Sequence, residues 1–74
     1  MRCLIDGRPD DRVPVDDRGL RYGDGLFETM RVHDAAVPLW NAHLHRLTAG
    51  CRRLGIPGPD PVMLERERGW LLDA

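Results

Sequence analysis

The clearest pattern of apolar positions lies in the middle of the chain. Apolar side chains recur there at spacings of four and three: Trp40, Leu44, Leu47, Cys51 and Leu54. This spacing is typical of one face of an α-helix, and it predicts a helix near residues 42–54. Asn41 is the expected N-cap residue, because its side chain can accept a hydrogen bond from the first turn. Gly55 suits the position after the last turn, and Pro57 prevents continuation.

A second pattern, near the start of the chain, predicts a β-hairpin. Residues 2–5 suit a short strand because Cys3, Leu4 and Ile5 are apolar, and Asp6 and Gly7 follow directly. An Asp-Gly pair is a strong signal for a type I′ turn, because both central residues of that turn need positive φ. A returning strand near residues 37–40 is expected further along, at a sheet edge where Pro38 is tolerated.

The segment from residue 26 to residue 33 alternates in the manner of a strand. One face carries Leu26, Glu28, Met30 and Val32, and the opposite face carries Phe27, Thr29, Arg31 and His33. Successive side chains of a strand point to opposite faces, so the two sets are separated. The second set mixes an aromatic ring, a hydroxyl and a guanidinium, a combination that suits a polar pocket. Spacing alone favours the simpler interpretation that this face is solvated.

A second helix is expected near residues 61–72, with Asp60 as its N-cap and Pro61 at its first position. Together these elements predict an α+β fold in which a small antiparallel sheet is covered by a helix on one face. We expect the apolar core to include Leu4, Leu26, Met30, Val32, Leu44, Leu47, Cys51 and Leu54.

Composition excludes several classes of function. The 74 residues allow one small domain at most. A net charge of −1, with acidic and basic residues interspersed, predicts neither a nucleic-acid partner nor an acidic membrane surface. Cys3 and Cys51 have no ligand-spaced companions, and His43 and His45 point to different sides of a helix, so no metal site is expected. With no signal peptide or membrane span, a cytoplasmic location is expected.

Three runs of residues carry a resemblance to a known family at matching spacing. They are Asp17-Arg18-Gly19, Tyr22-Gly23-Asp24-Gly25-Leu26-Phe27-Glu28-Thr29 and Leu39-Trp40-Asn41-Ala42-His43-Leu44-His45-Arg46-Leu47. This combination resembles the opening of the class IV (fold type IV) pyridoxal-phosphate enzymes. Within that family the Gly-Asp-Gly-Leu-Phe-Glu-Thr run is most similar to the aminodeoxychorismate lyases. The branched-chain and D-amino-acid aminotransferases share the scaffold and are the alternative.

The resemblance implies roles for five residues. Arg46 would bind the phosphate of pyridoxal phosphate, toward the side of the sheet that carries Phe27 and Thr29. Phe27, Thr29 and Arg31 would line the substrate side of the pocket, and Tyr22 would lie at the same cleft near the subunit boundary of a homodimer. By position on the helix, Arg46 also fits a surface arginine whose stem lies along apolar neighbours.

All eleven basic residues of the chain are arginines, so it contains no lysine. Enzymes of the resembled family hold the cofactor as a Schiff base on a lysine, which this chain cannot form. We therefore expect residues 1–74 to be a single small N-terminal domain, truncated before the domain that supplies the lysine. No catalytic residue is assigned, and the fragment is expected to be inactive. A non-catalytic binding or dimerisation module is the alternative from another class.

Overall fold

The computed structural model describes residues 2–73. In chain order its elements are β1 (Leu4–Ile5), β2 (Arg8–Pro9), α1 (Arg18–Tyr22), α2 (Trp40–Leu54) and α3 (Pro61–Leu72). The chain divides into two compact units, of which the central unit is Gly25–Asp60 and the flanking unit contains the segments before and after it. A two-stranded antiparallel sheet with helices makes an α+β fold, as the sequence predicted. No helix within residues 2–73 combines the length and apolar character needed to cross a membrane.

The flanking unit contains the hairpin that the sequence predicted. Leu4 pairs with Pro9 and Ile5 with Arg8, in antiparallel register. The two turn residues have φ of 52° at Asp6 and 78° at Gly7. Positive φ at both positions is the type I′ geometry, so this prediction is confirmed.

Helix α3 runs past this hairpin turn. A Cβ placed on Gly7 would stand 3.4 Å from Oε1 of Glu67 and 3.8 Å from Sδ of Met63. Further along the helix, the guanidinium of Arg2 lies 3.9 Å from the ring centroid of Trp70. The helix that lies against the sheet is therefore α3, whose predicted range near 61–72 is confirmed.

Helix α1 was not predicted, because glycines within and just after it are more typical of turns. The Asp17 side chain accepts a hydrogen bond from the Gly19 amide at 3.3 Å, which caps the N-terminus. Gly23, with φ of 69°, ends the helix and donates its amide to the Gly19 carbonyl at 3.0 Å. Asp17 and Gly23 are thus the two caps of one short helix.

In the central unit, α2 has the predicted phase but a different start. Its first hydrogen bond runs from the His43 amide to the Leu39 carbonyl at 3.0 Å. Leu39 is therefore the N-cap residue, with φ of 62° and no side-chain cap. The prediction of Asn41 as N-cap was wrong, because the helix begins at Trp40 and already includes Asn41.

The other end of α2 is the predicted one. Gly55 has φ of 70°, and its amide donates to the Arg52 carbonyl at 3.3 Å. The Ile56 amide donates to the Cys51 carbonyl at 3.1 Å. This pair of bonds is the Schellman motif, for which glycine is favoured because it adopts the left-handed conformation without a Cβ clash.

The predicted strands near 26–33 and 37–40 do not form in the part of the chain that the structure describes. Residues 23–32 carry neither helix nor strand, and one isolated bridge joins His33 to Ala36 around a two-residue turn. Continuing that register would place Arg31 opposite Pro38 at the next hydrogen-bonded pair. Proline has no N–H to donate, and the helix begins two residues later. The ladder therefore stops after one pair.

The alternation of side chains persists without the ladder. Leu26, Glu28 and Met30 are half-buried, whereas Phe27, Thr29 and Arg31 are exposed. Of the expected core, Cys51 is buried, and five more are half-buried: Leu4, Leu26, Met30, Leu44 and Leu47.

Val32 and Leu54 are exposed, and the prediction that they belong to the core was wrong. Val32 precedes a strand pair that does not continue, so no neighbouring strand covers it. Leu54 is the last residue of α2, where the chain turns away through Gly55.

Candidate functional site

In the central unit the carboxylate of Glu28 contacts two side chains of α2. Oε2 of Glu28 lies 2.7 Å from Nδ1 of His43, and Oε1 lies 3.2 Å from Nε of Arg46. His43 and Arg46 are three residues apart, so they are neighbours on one face of the helix. The side chains of Glu28 and His43 are 12% and 14% exposed. We call Glu28, His43 and Arg46 the carboxylate cluster.

Packing next to the cluster explains why Glu28 reaches the helix. Leu26 lies so close to Gly50 that a Cβ on that glycine would overlap its Cδ1 atom. Two residues of extended chain advance about 6.6 Å, and one turn of helix advances about 5.4 Å. The segment runs antiparallel to α2, so Glu28 arrives about one turn nearer the helix start, beside Arg46. The absence of a side chain at Gly50 permits this close approach.

The electrostatics of the cluster are those of a partly desolvated carboxylate with one hydrogen-bonding partner and one cationic partner. A carboxylate in this position is costly unless hydrogen bonds replace the water it loses. Because an ionised carboxylate only accepts, Nδ1 of His43 carries the proton in this contact. Arg46 supplies an ion pair to the other carboxylate oxygen, while its side chain stays 67% exposed. The arginine is thus anchored at Nε and open to solvent elsewhere.

The structure places four of the five predicted site residues in this unit. Phe27, Thr29 and Arg31 lie on the exposed side of the alternating segment, and Phe27 is 86% exposed. Arg46 meets the segment at Glu28, on its half-buried side, whereas we expected it to point toward Phe27 and Thr29. The roles of all four toward a ligand stay predictions.

Tyr22, the fifth predicted residue, lies on α1 in the flanking unit. Its ring centroid is 5.4 Å from the guanidinium carbon of Arg21 and 5.9 Å from that of Arg18. The ring is exposed, and both guanidiniums lie within the range of a cation–π contact, which is weak at an exposed site.

Glu28 and His43 were not among the predicted site residues. A signal for them was present, since Glu28 is the one charged residue on the apolar side of the alternating segment. A carboxylate in that position requires a cationic or hydrogen-bonding partner. The pattern could have suggested a partner on the helix, although it did not say which residue. In residues 2–73 no three acidic, histidine or cysteine side chains gather as a metal site.

Comparison with known proteins identifies the family. The sequence pattern of the family described as amino-transferase class IV matches residues 25–65, which include the carboxylate cluster. The chain therefore belongs to the class IV aminotransferase family. No solved structure matches the chain.

Three relatives illustrate the range within the family. The chain is 39% identical over 56 residues to an aminodeoxychorismate lyase of Vibrio harveyi, covering 76% of this chain and 21% of the relative. It is 47% identical over 46 residues to a bifunctional aminodeoxychorismate lyase / D-amino acid transaminase of Mycobacterium tuberculosis, covering 62% and 16%. It is 33% identical over 63 residues to a D-alanine aminotransferase of Listeria monocytogenes, covering 80% and 22%. The chain spans about a fifth of the length of these relatives.

Proposed function

We propose that this chain is the N-terminal part of an aminodeoxychorismate lyase-like enzyme that uses pyridoxal phosphate. Such an enzyme converts 4-amino-4-deoxychorismate to 4-aminobenzoate and pyruvate, a step of folate biosynthesis. The observation that carries the proposal is the 39% identity to the Vibrio harveyi lyase across 76% of the chain. A second relative, from Mycobacterium tuberculosis, also has lyase in its name.

The residues present suit one part of the cofactor. Arg46 has a guanidinium that is anchored at one nitrogen and otherwise exposed, which suits bidentate binding of a phosphate. The chain has no lysine, so it does not fit covalent attachment of the cofactor. In the whole enzyme a lysine outside residues 1–74 would have to supply that bond. When bound, pyridoxal phosphate withdraws electrons from the reacting carbon of the substrate.

The exposed side of the alternating segment is proposed to face the substrate. The Arg31 guanidinium is chemically suited to a substrate carboxylate, with which it can form two parallel hydrogen bonds. Thr29 offers a hydroxyl that can donate or accept, and Phe27 offers an apolar surface for a ring. Phe27 is 86% exposed, and covering its ring by a ligand or by more protein would be favourable because apolar surface leaves water.

At the level of the whole protein we propose a cytoplasmic homodimer with Tyr22 near the subunit boundary. Residues 1–74 would be its small N-terminal domain, with no catalytic residue of their own. Free thiols at Cys3 and Cys51 are consistent with a reducing compartment.

A transaminase of the same family is the second candidate, because the relatives include a D-alanine aminotransferase at 33% identity. A branched-chain aminotransferase belongs to the same alternative. The first turnover steps are shared, and the two classes differ in whether the substrate loses pyruvate or its amino group. Residues that decide this are expected outside the residues present here.

Growth complementation tests the proposal. The complete open reading frame that includes residues 1–74 is expressed in a bacterium lacking its own aminodeoxychorismate lyase, because residues 1–74 by themselves have no lysine for the cofactor. Growth is scored without 4-aminobenzoate. We expect growth, reduced by Arg46→Gln and unaffected by Arg53→Gln, which changes an exposed arginine of the same helix. Rescue of a D-alanine auxotroph instead would favour the transaminase. Failure in both hosts, with the protein accumulating, would contradict both and favour a non-catalytic binding or dimerisation module.

A further inference from the structure

We propose that Glu28 is a positioning residue that holds Arg46 by its Nε atom and so presents the outer edge of the guanidinium to the cofactor phosphate. This inference rests on the proposed function and deepens it, because it names what orients the phosphate-binding arginine. It uses the carboxylate cluster, whose two contacts were not predicted from the sequence.

The shape of the guanidinium limits where an anion can bind it. Its five N–H donors lie in one plane, so an oxyanion can bind in bidentate fashion either along the edge with Nε or along the edge between the two Nη atoms. Oε1 of Glu28 lies 3.2 Å from Nε of Arg46 and takes the first edge. The edge between the Nη atoms is the one that remains for a phosphate.

The Glu28 carboxylate is a rigid anchor for Arg46. The other oxygen of Glu28 accepts from His43 at 2.7 Å, and both of these side chains are largely buried. A carboxylate held at both oxygens has little freedom to rotate. Arginine side chains otherwise lose considerable rotamer freedom on binding, and an anchored arginine has lost part of it before the ligand arrives.

The charge of Glu28 has an opposing effect on anion binding by Arg46. The negative charge of Glu28 partly neutralises Arg46 and by itself would weaken attraction for an anion. Replacement by glutamine separates the two effects, because an amide oxygen of the same reach can lie beside Nε without carrying charge. A neutral imidazole can exchange its tautomer, so His43 can still bond the amide. Replacement by aspartate does the reverse, since it keeps the charge but shortens the side chain.

The experiment titrates the full 74-residue chain with pyridoxine 5′-phosphate and, as a control, with pyridoxine. Neither probe has an aldehyde, so neither reacts with amines. Binding is followed by the NMR signal of the Arg46 Nε–H group. We expect the phosphate probe to bind about three- to tenfold more weakly to Glu28→Ala and Glu28→Asp, from the cost of ordering a freed arginine. Glu28→Gln should stay within about twofold of wild type.

Binding of pyridoxine should be the same in every variant, and Arg53→Gln should change neither titration. Tighter phosphate binding by Glu28→Gln together with unchanged binding by Glu28→Asp would mean that Glu28 only neutralises charge, and would overturn the inference. If Glu28→Ala loses its helical circular dichroism, the aspartate and glutamine variants decide the matter. A wild-type chain that does not prefer the phosphate probe would overturn both the phosphate role of Arg46 and this inference. The lyase proposal is tested separately by growth.

Discussion

Gly50 lies inside α2, and adding a methyl group there sets two effects against each other. Alanine is favoured over glycine in a helix interior by about 1 kcal/mol. The new Cβ would overlap Cδ1 of Leu26, and overpacking of this kind costs about 1–3 kcal/mol. We therefore expect Gly50→Ala to lower the free energy of unfolding by about 0–2 kcal/mol, the difference between the two effects.

A double-mutant cycle isolates the contact. In a Leu26→Ala background the obstruction is gone, so Gly50→Ala should raise the free energy of unfolding by about 1 kcal/mol. The coupling between the two substitutions is then about 1–3 kcal/mol, as for other residues in direct contact. Urea unfolding of the full chain, followed by helical circular dichroism, measures all four variants.

Gly69 provides the matched control, because a Cβ there meets nothing within 4 Å. Gly69→Ala in α3 should add about 1 kcal/mol in both backgrounds. If Gly50→Ala has the same effect with and without Leu26, the substitutions are additive and Leu26 does not pack on Gly50. In that case the placement of Glu28 beside Arg46 would lose its structural support.

Three further predictions concern the cofactor and the caps. Pyridoxal phosphate followed by borohydride should leave no stoichiometric adduct at any interior position of this lysine-free chain, and peptide mapping by mass spectrometry would expose one. Gly55→Ala should lower the free energy of unfolding by about 1–2 kcal/mol, because φ is 70° there. Gly58→Ala should be much milder in the same urea titration, since Gly58 does not have the positive φ of Gly55 and a Cβ meets nothing within 4 Å at either position. Asp17→Ala should cost α1 about 1 kcal/mol, seen as faster hydrogen exchange at the Gly19 amide, and unchanged exchange would argue against the cap.

Features that depend on neighbours along the chain could be predicted from the sequence. The type I′ turn at Asp6 and Gly7 follows from the conformations that those residues tolerate. The phase of α2 follows from its apolar repeat, and its end follows from Gly55. The alternation across residues 26–31 was also correct as a pattern of exposure, because it reflects which side chains gain from leaving water.

Features that depend on a partner distant in the chain needed the tertiary structure. A strand requires a second strand with free N–H and carbonyl groups, and Pro38 with the early start of α2 removed that partner. Helix α2 begins at Trp40 rather than after Asn41. The left-handed Leu39 is its N-cap residue, and the Leu39 carbonyl accepts the first helical hydrogen bond.

The candidate site divides in the same way. The family resemblance across residues 39–47 identified Arg46 as a candidate phosphate-binding residue. Helical spacing places it at the edge of the apolar stripe of α2. Its contact with Glu28 depends on the packing of Leu26 against Gly50, which places the segment that contains Glu28 beside the helix. Glu28 and His43 are 15 residues apart in the sequence. Local conformational preference determines which residues share a face. Whether a partly buried carboxylate has hydrogen-bonding or cationic partners depends instead on which side chains tertiary packing places within reach of it.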